Sequence, residues 1–537
     1  MKITTLLLFA LGAGLGLAQT PPPAPLSNEP PENPGRIDPA LPTIFVAGDS
    51  TAARAKAPQQ GWAVAFAPYL DLTKVNLSNR ALGGRSSRTF ITQGWWEKLL
   101  ADVKAGDWVL IQFGHNDASP VNEDPSTPRE KMRSRGSLPG LGEETQDIVN
   151  VLTEKPETVR TFGSYLRQMI RDVRAKGATP ILLSPTIRCE WKDGKIERGG
   201  PHRRWAREVA QAEGVWFVDV SRLVADAFQR LGEEKVRTFF PKDHTHTNEA
   251  GADAVAQQVV AGLAGLKEAN FARWLAPAGA ALKADPIGWL NLPEPRDPKL
   301  PTLLLIGDST VRNGRGDGAG GQWGWGEPLA AHFDPAQVNV VNRAIGGLSS
   351  RTFLTQGHWE RALTLLKRGD VVLMQFGHND NAPLNDTTRA RGTIRGTGEQ
   401  TEAIDNLLTH ERETVGTYGS YLRRYIREAK AAGATPVVCT LVPRKIWKDG
   451  KIVRANDGYA AWAREVARQE GVPCIDLNER VAARYDTLGE KAVEALFADE
   501  HTHTSRAGAE LNASIVAAEL ARLAGAEPAL AAFRPKN

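Results

Sequence analysis

"TIFVAGDST" runs from Thr43 to Thr51, and "TLLLIGDST" runs from Thr302 to Thr310. Each is an apolar run of strand length that ends in Gly, Asp and Ser. Unbroken apolarity of that length reads as a strand covered on both faces. The Gly allows a tight turn at the strand's carboxyl end, where the Ser follows. Three other segments return in the same order. "NRALGGRSSRTFITQG" from Asn79 is matched by "NRAIGGLSSRTFLTQG" from Asn342, and "GDWVLIQFGHND" from Gly106 by "GDVVLMQFGHND" from Gly369. "PKDHTHTNEAGA" from Pro241 is matched by "ADEHTHTSRAGA" from Ala498. The period of roughly 260 residues is far above solenoid repeat lengths, so each copy is a domain.

Within a copy, the strand-like runs "DWVLIQFG", "TPILLSP" and "GVWFVDV" alternate with helical patterns such as "TVRTFGSYLRQMIRDVRAKG". That alternation implies right-handed crossovers and a parallel sheet with helices on both faces. Ligands of such sheets bind beyond the carboxyl ends of the strands. Ser50 follows the first strand, Asn116 the third and His246 the last.

A chain of 537 residues accommodates two such units. The expected division is a first domain at 42–265, a linker or packed spacer at 266–300 and a second domain at 301–528. Lys2 and the run "TTLLLFALGAGLGLAQ", closed by small residues, read as a signal peptide over 1–19. That implies secretion or a periplasmic location. Residues 20–41 are Pro-rich and read as an extended tether. No later run of about 18 apolar residues suggests a membrane span. A net charge of +4 without a basic run argues against nucleic acid as a partner. Three cysteines cannot build a disulfide framework. No oligomeric state is signalled.

Ser50 alone could be a helix cap, since Asp or Ser after a strand often caps the next helix. The histidines change that reading. Six of the ten lie in the "GHND" and "HTH" segments. His-x-His could hold a metal, but no Cys or carboxylate cluster with familiar ligand spacing supports one. A serine needs only one His as base, and that base needs an orienting partner. Asp243 and His246 are three residues apart and can share a face of a turn. Gly84 permits close backbone approach and Asn116 offers a side-chain N–H, so both are candidate donors for an oxyanion.

Ser in "GDS", Gly in "GGRS", Asn in "GHND" and His in "DHTH" resemble the four blocks of the SGNH (GDSL-type) hydrolases. Within that superfamily the combination is similar to rhamnogalacturonan acetylesterases. The resemblance implies two tandem flavodoxin-like α/β/α domains with central parallel sheets, and a serine esterase without metal or other cofactor. It implies Ser50 as nucleophile, His246 as base and Asp243 as orienter, with Ser50, Gly84 and Asn116 as the oxyanion hole. In the second copy it implies Ser309, Gly347, Asn379 and His503. Glu500 stands where the family has Asp; Asp499, four residues before His503, is the competing orienter, and the spacing favours Glu500.

The resemblance also implies an acetylated pectin polysaccharide or oligosaccharide as substrate. Galacturonate carries a carboxylate, which Arg binds bidentately. Arg85, Arg88 and Arg188, with Arg351 and Arg444 in the second copy, are therefore candidate substrate contacts; their alternative is structural salt bridging. Leu348 replaces Arg85, so the two clefts are expected to differ. Other carbohydrate esters, lipids or thioesters are alternative substrates, and a carbohydrate-binding domain without catalysis is a rival class. The Gly-dense "RGSLPGLGEETQ" and "RGTIRGTGEQTE" read as loops beside the sites.

Overall fold

The computed structural model describes residues 37–266, 269–285, 292–312 and 318–536. The expected leader, and the tether up to residue 36, lie outside them. The chain divides into two compact units, at 1–288 and 289–537.

In the first unit, β1 (Thr43–Gly48), β2 (Asn76–Asn79), β3 (Trp108–Gln112), β4 (Thr179–Leu183) and β5 (Trp216–Val218) form one sheet. Their spatial order is β2-β1-β3-β4-β5 and every pairing is parallel. Alternate residues of each strand feed opposite layers, as the pleat requires. Ile44, Val46, Leu110 and Leu183 pack with α4 (Val220–Leu231) and α5 (Glu249–Ala264). Phe45, Ala47, Val109 and Leu182 pack with α2 (Phe162–Ala175) and α3 (Pro201–Glu213). A preceding short helix, α1 (Ser87–Thr92), starts at a capping box in which Ser86 and Thr89 satisfy each other's amides.

The second unit repeats this plan. Its strands are β6 (Thr302–Gly307), β7 (Asn339–Asn342), β8 (Val371–Gln375), β9 (Thr435–Cys439) and β10 (Cys474–Ile475), in the order β7-β6-β8-β9-β10. The helices are α6 (Ser350–Thr355), α7 (Tyr418–Ala431), α8 (Tyr459–Glu470), α9 (Leu477–Leu488) and α10 (Arg506–Ala526). Both units are flavodoxin-like three-layer folds. Crossovers change direction between the first and third strands, and the crevice there opens at the carboxyl ends. Ser50 and Asn116 emerge on its two sides.

Of the two readings of 266–300, the packed spacer holds: the segment is largely part of the first domain. Phe271 and Trp274 are buried against Trp108, and Asp285 is buried in an ion pair with Arg222. Burying two large rings outweighs leaving the segment as a free tether. Likewise the second domain runs past 528, because Leu530 and Phe533 lie in its core.

Candidate active site

The first site is assembled from four loops at the carboxyl ends of the strands. Asp49 is buried, and its carboxylate accepts from the Thr51 amide at 2.9 Å and the Thr51 hydroxyl at 2.8 Å. This closes the turn that presents Ser50. The Ser50 hydroxyl lies 2.8 Å from His246 Nε2. His246 Nδ1 lies 2.8 Å from Asp243 Oδ2, while Asp243 Oδ1 accepts the amides of Thr245 and His246 at 2.7 and 2.8 Å. One carboxylate thus shapes the turn and fixes the ring. Burial raises its pKa, but hydrogen bonds from the His246 ring and from the two amides outweigh that and lower it to about 2. With Nδ1–H donating to the carboxylate, Nε2 is left to accept the Ser50 proton.

The second site has the same serine–imidazole geometry, with Ser309 Oγ 2.8 Å from His503 Nε2. Its carboxylate differs from the expectation. Asp499 Oδ2, not Glu500, lies 2.5 Å from His503 Nδ1. Asp499 Oδ1 accepts the amides of His501, Thr502 and His503 at 3.2, 2.8 and 2.9 Å. Glu500 is exposed. The short Asp side chain can accept amides just downstream of itself, and this anchors the turn. Those bonds also hold the Asp499 carboxyl below its ordinary pKa against the opposing effect of burial.

The glycines and asparagines expected as oxyanion donors lie on the loops that follow the second and third strands of each sheet. Leu82 N donates to Gly48 O at 3.0 Å, and a Cβ added at Gly83 would lie 3.8 Å from Ser50 Cβ. The loop after β2 therefore lies against the nucleophile turn. Gly84 has φ of 75° and Gly347 of 84°, a conformation that favours glycine. Among the described residues, the amides of Ser50, Gly84, Ser309 and Gly347 donate to no carbonyl. Asn116 and Asn379 are buried, and each spends one Nδ2–H on the carbonyl of residue 85 or 348, at 2.8 Å in both domains. One N–H of each side-chain amide is left over.

Several supporting residues escaped the sequence reading. Asp117 follows Asn116 and is buried; it accepts the hydroxyl of Ser87 and, at 3.2 Å, the Ser87 amide. It ties the Asn loop to the start of α1, just after the Gly84 turn. Asp380 binds Ser350 in the same way, with a hydroxyl contact of 2.5 Å. Arg135 Nη1 donates to Gly84 O at 3.1 Å and Arg391 Nη1 to Gly347 O at 2.6 Å. The available signal was their recurrence in both copies. The Gly-dense loops that carry these arginines are packed walls: Gly136 N donates to Pro120 O at 3.0 Å, and a Cβ there would collide with Ser119 O.

The candidate substrate arginines divide. Arg88 and Arg351 are fully buried and do not line a cleft. Arg88 holds Glu157 bidentately at 2.7 and 2.8 Å and donates to the carbonyls of Val121 and Gly136. Arg351 repeats this with Glu413, Leu384 and Gly392. Removing one partner of such a pair costs about 3–5 kcal/mol, so they are structural, correcting the expectation. Arg85 is half-buried and donates to Gly83 O at 2.9 Å, which fixes the peptide that carries the Gly84 N–H. Arg188 is half-buried beside His115, and among the described residues its Nε has no hydrogen-bond partner. Arg444 is exposed. Both follow the fourth strand of their sheet, and the next residue's amide, from Cys189 or Lys445, bonds the carbonyl of His244 or His501. Among the described residues no group of three or more His, Cys, Asp or Glu is placed to hold a metal ion, and no helix is long and apolar enough to cross a membrane.

The GDSL-like lipase/acylhydrolase family model matches residues 46–254 and again 305–511. The rhamnogalacturonan acetylesterase of Emericella nidulans is 36% identical over 216 residues, which are 40% of this chain and 81% of that protein. The probable rhamnogalacturonan acetylesterase YesY of Bacillus subtilis is 30% identical over 228 residues, 41% of this chain and 91% of that one. A solved structure, protein YXIM of Bacillus subtilis, is similar at 27% identity and a TM-score of 0.34, over 42% of this chain and 57% of that chain. The chain therefore belongs to the GDSL-like lipase/acylhydrolase family, once in each domain, and is a carboxylic ester hydrolase.

Proposed function

We propose that each domain is a serine esterase that removes acetyl groups from acetylated rhamnogalacturonan, and that the chain is exported. The observation that carries the mechanism is the relay from serine to imidazole to carboxylate, with Ser–His contacts of 2.8 Å in both copies. Ser50 Oγ attacks the acetyl carbonyl carbon while His246 Nε2 takes its proton. Asp243 holds the ring and stabilises the imidazolium. The tetrahedral oxyanion accepts hydrogen bonds from the Ser50 and Gly84 amides and from Asn116 Nδ2; one such donor is worth about 10²–10³-fold in rate. As the intermediate collapses, His246 returns the proton to the departing sugar hydroxyl. Water, activated by the same imidazole, then releases acetate from the acyl-serine. In the second domain Ser309, His503, Asp499, Gly347 and Asn379 take these roles.

The named relatives support the substrate, and Arg188 and Arg444 beside the His turns suit a uronate carboxylate. Lys2 and the apolar run after it support export. Acetate release from acetylated rhamnogalacturonan beside acetylated xylan tests the reading. Ser50→Ala and Ser309→Ala should each leave one site working, and the double variant should fall to background. Complete loss with Ser50→Ala alone would make the second domain a passenger. Preference for xylan would displace the substrate, and activity confined to the cytoplasm would displace export.

A further inference from the structure

The repeat is imperfect in one place that borders a catalytic turn. Trp323 replaces Gln60, just before the shared Gly-Trp pair. Both residues exchange backbone bonds with the threonine after the catalytic His. Gln60 N donates to Thr247 O at 2.7 Å, and Trp323 N to Thr504 O at 2.9 Å. The threonine hydroxyl returns a bond to the carbonyl, at 2.9 Å for Gln60 and 2.8 Å for Trp323. Trp323 is thus fixed beside the residue that follows His503.

Its indole lines a cavity of about 380 Å³, shared with Glu327, Pro328, His332, Arg506 and Glu510. Arg506 lies 5.1 Å from the Trp323 ring centroid, and its Nε donates to Glu510 at 2.9 Å. Glu327 accepts from Asn342 at 3.0 Å and lies 3.5 Å from Arg312. Among the described residues each of these carboxylates therefore has its own guanidinium. An ionised carboxylate only accepts, so Glu510 suits the hydroxyl hydrogens of a sugar. An aromatic wall with a few placed polar groups is the usual make-up of a small-molecule subsite. In the first domain, Tyr69 stands at the position of His332. It is buried with its phenol 2.7 Å from Asp253, the counterpart of Glu510.

We infer that this cavity is a subsite of the second domain for a neutral sugar ring of the polysaccharide, next to the residue being deacetylated, and that the first domain lacks it. This rests on the proposed carbohydrate esterase activity. The Ser50→Ala/Ser309→Ala chain binds without turnover and serves as parent. Calorimetry with acetylated rhamnogalacturonan oligosaccharide and, separately, acetylated xylo-oligosaccharide should show that Trp323→Ala weakens the second-domain binding event by about tenfold, and that Glu510→Gln weakens it by a smaller factor. Gln60→Ala should change neither event by more than about twofold. In Ser50→Ala alone, Trp323→Ala should raise KM for the oligosaccharide while leaving kcat/KM for 4-nitrophenyl acetate within about twofold. Binding of the xylo-oligosaccharide alone would overturn the rhamnogalacturonan reading, yet its sensitivity to Trp323→Ala would still decide the subsite. Unchanged affinity in Trp323→Ala, no binding of either sugar, or an equal loss on the aryl ester would overturn the subsite.

Discussion

The two turns that carry His246 and His503 are of equal length and are closed alike. Asn248 N donates to Phe239 O at 2.7 Å, and Ser505 N to Leu496 O at 2.9 Å. Between these ends the first turn places its Asp three residues before the His and the second places it four before. The ring meets a carboxylate either way. What the two turns share is a short carboxylate that accepts successive downstream amides and still reaches Nδ1. Sequence spacing is one route to that geometry, and amide capping is the stronger constraint. Glu, one methylene longer, occupies the aligned position and points to solvent.

The largest effect expected from this comparison is on turnover at the second site. In a Ser50→Ala background, Asp499→Asn should slow acetate release by about 10²–10⁴-fold, as losses of orienting carboxylates do. Glu500→Gln should change it by less than about threefold. In a Ser309→Ala background, Asp243→Asn should match Asp499→Asn. A larger loss with Glu500→Gln would return the role to the aligned residue.

That misreading marks the limit of what alignment conveys. The apolar runs at Thr43 and Thr302 specify strands buried on both faces, and the "GDS", "GGxS", "GHND" and "HTH" segments locate the residues around each crevice. Those features are local, so the sequence displays them. The partner of a buried charge is not local. Arg88 and Glu157 are 69 residues apart, and nothing in "SSRTF" tells a cleft arginine from one sealed under a loop. Phe271 and Trp274 lie in a stretch whose Pro and Gly content resembles a linker, yet two rings against Trp108 settle it as core. The pairing of Asp117 with Ser87 is equally long-range, and only its repetition as Asp380 and Ser350 marks it in the sequence.

Those two buried carboxyls provide a second test of the comparison. Burial pushes Asp117 up to about 6 and Asp380 up to about 7, against the hydrogen bonds from Ser87 and Ser350; the nearby charges of Asp49 and Asp308 add to the rise. A raised acid favours the neutral form in the folded state. Its contribution to stability is complete below the unfolded value near 3.9 and is lost as pH rises through the folded value. The window therefore closes near pH 6 in the first domain and near pH 7 in the second. Replacing either by Asn removes the ionisation but keeps an oxygen acceptor for the serine. Relative to the parent, Asp380→Asn should gain on the order of 3 kcal/mol in urea unfolding between pH 4 and 8, and Asp117→Asn about as much or less, complete by about pH 7. A difference independent of pH would mean that neither carboxyl gains its charge across this range.

The smallest expected effect concerns the histidine of "GHND". In the first domain His115 Nε2 lies 3.1 Å from Thr186 Oγ1. In the second, Val442 stands at the aligned position, and among the described residues neither buried ring nitrogen of His378 has a hydrogen bond of good geometry, the Val442 backbone making only a poor one. Burial lowers the pKa of both rings, and Arg188 or Arg444 with the catalytic imidazole lowers it further, while Asp49 or Asp308 opposes this. Burial therefore favours the neutral form of each ring, which has one N–H to place. Thr and Val have nearly the same shape, so exchanging them changes little but the hydroxyl. Thr186→Val should cost the first domain about 1–2 kcal/mol, the price of a buried polar group left unpaired. Val442→Thr should stabilise the second domain by about 1 kcal/mol, because its hydroxyl can take the bond that His378 lacks. Thermal unfolding of the two variants beside the parent reads both shifts. Opposite signs of similar size would show that one hydroxyl accounts for this difference between the walls. A destabilised Val442→Thr would mean that the Val442 backbone already satisfies His378, and that the second wall has been repacked around an apolar side chain.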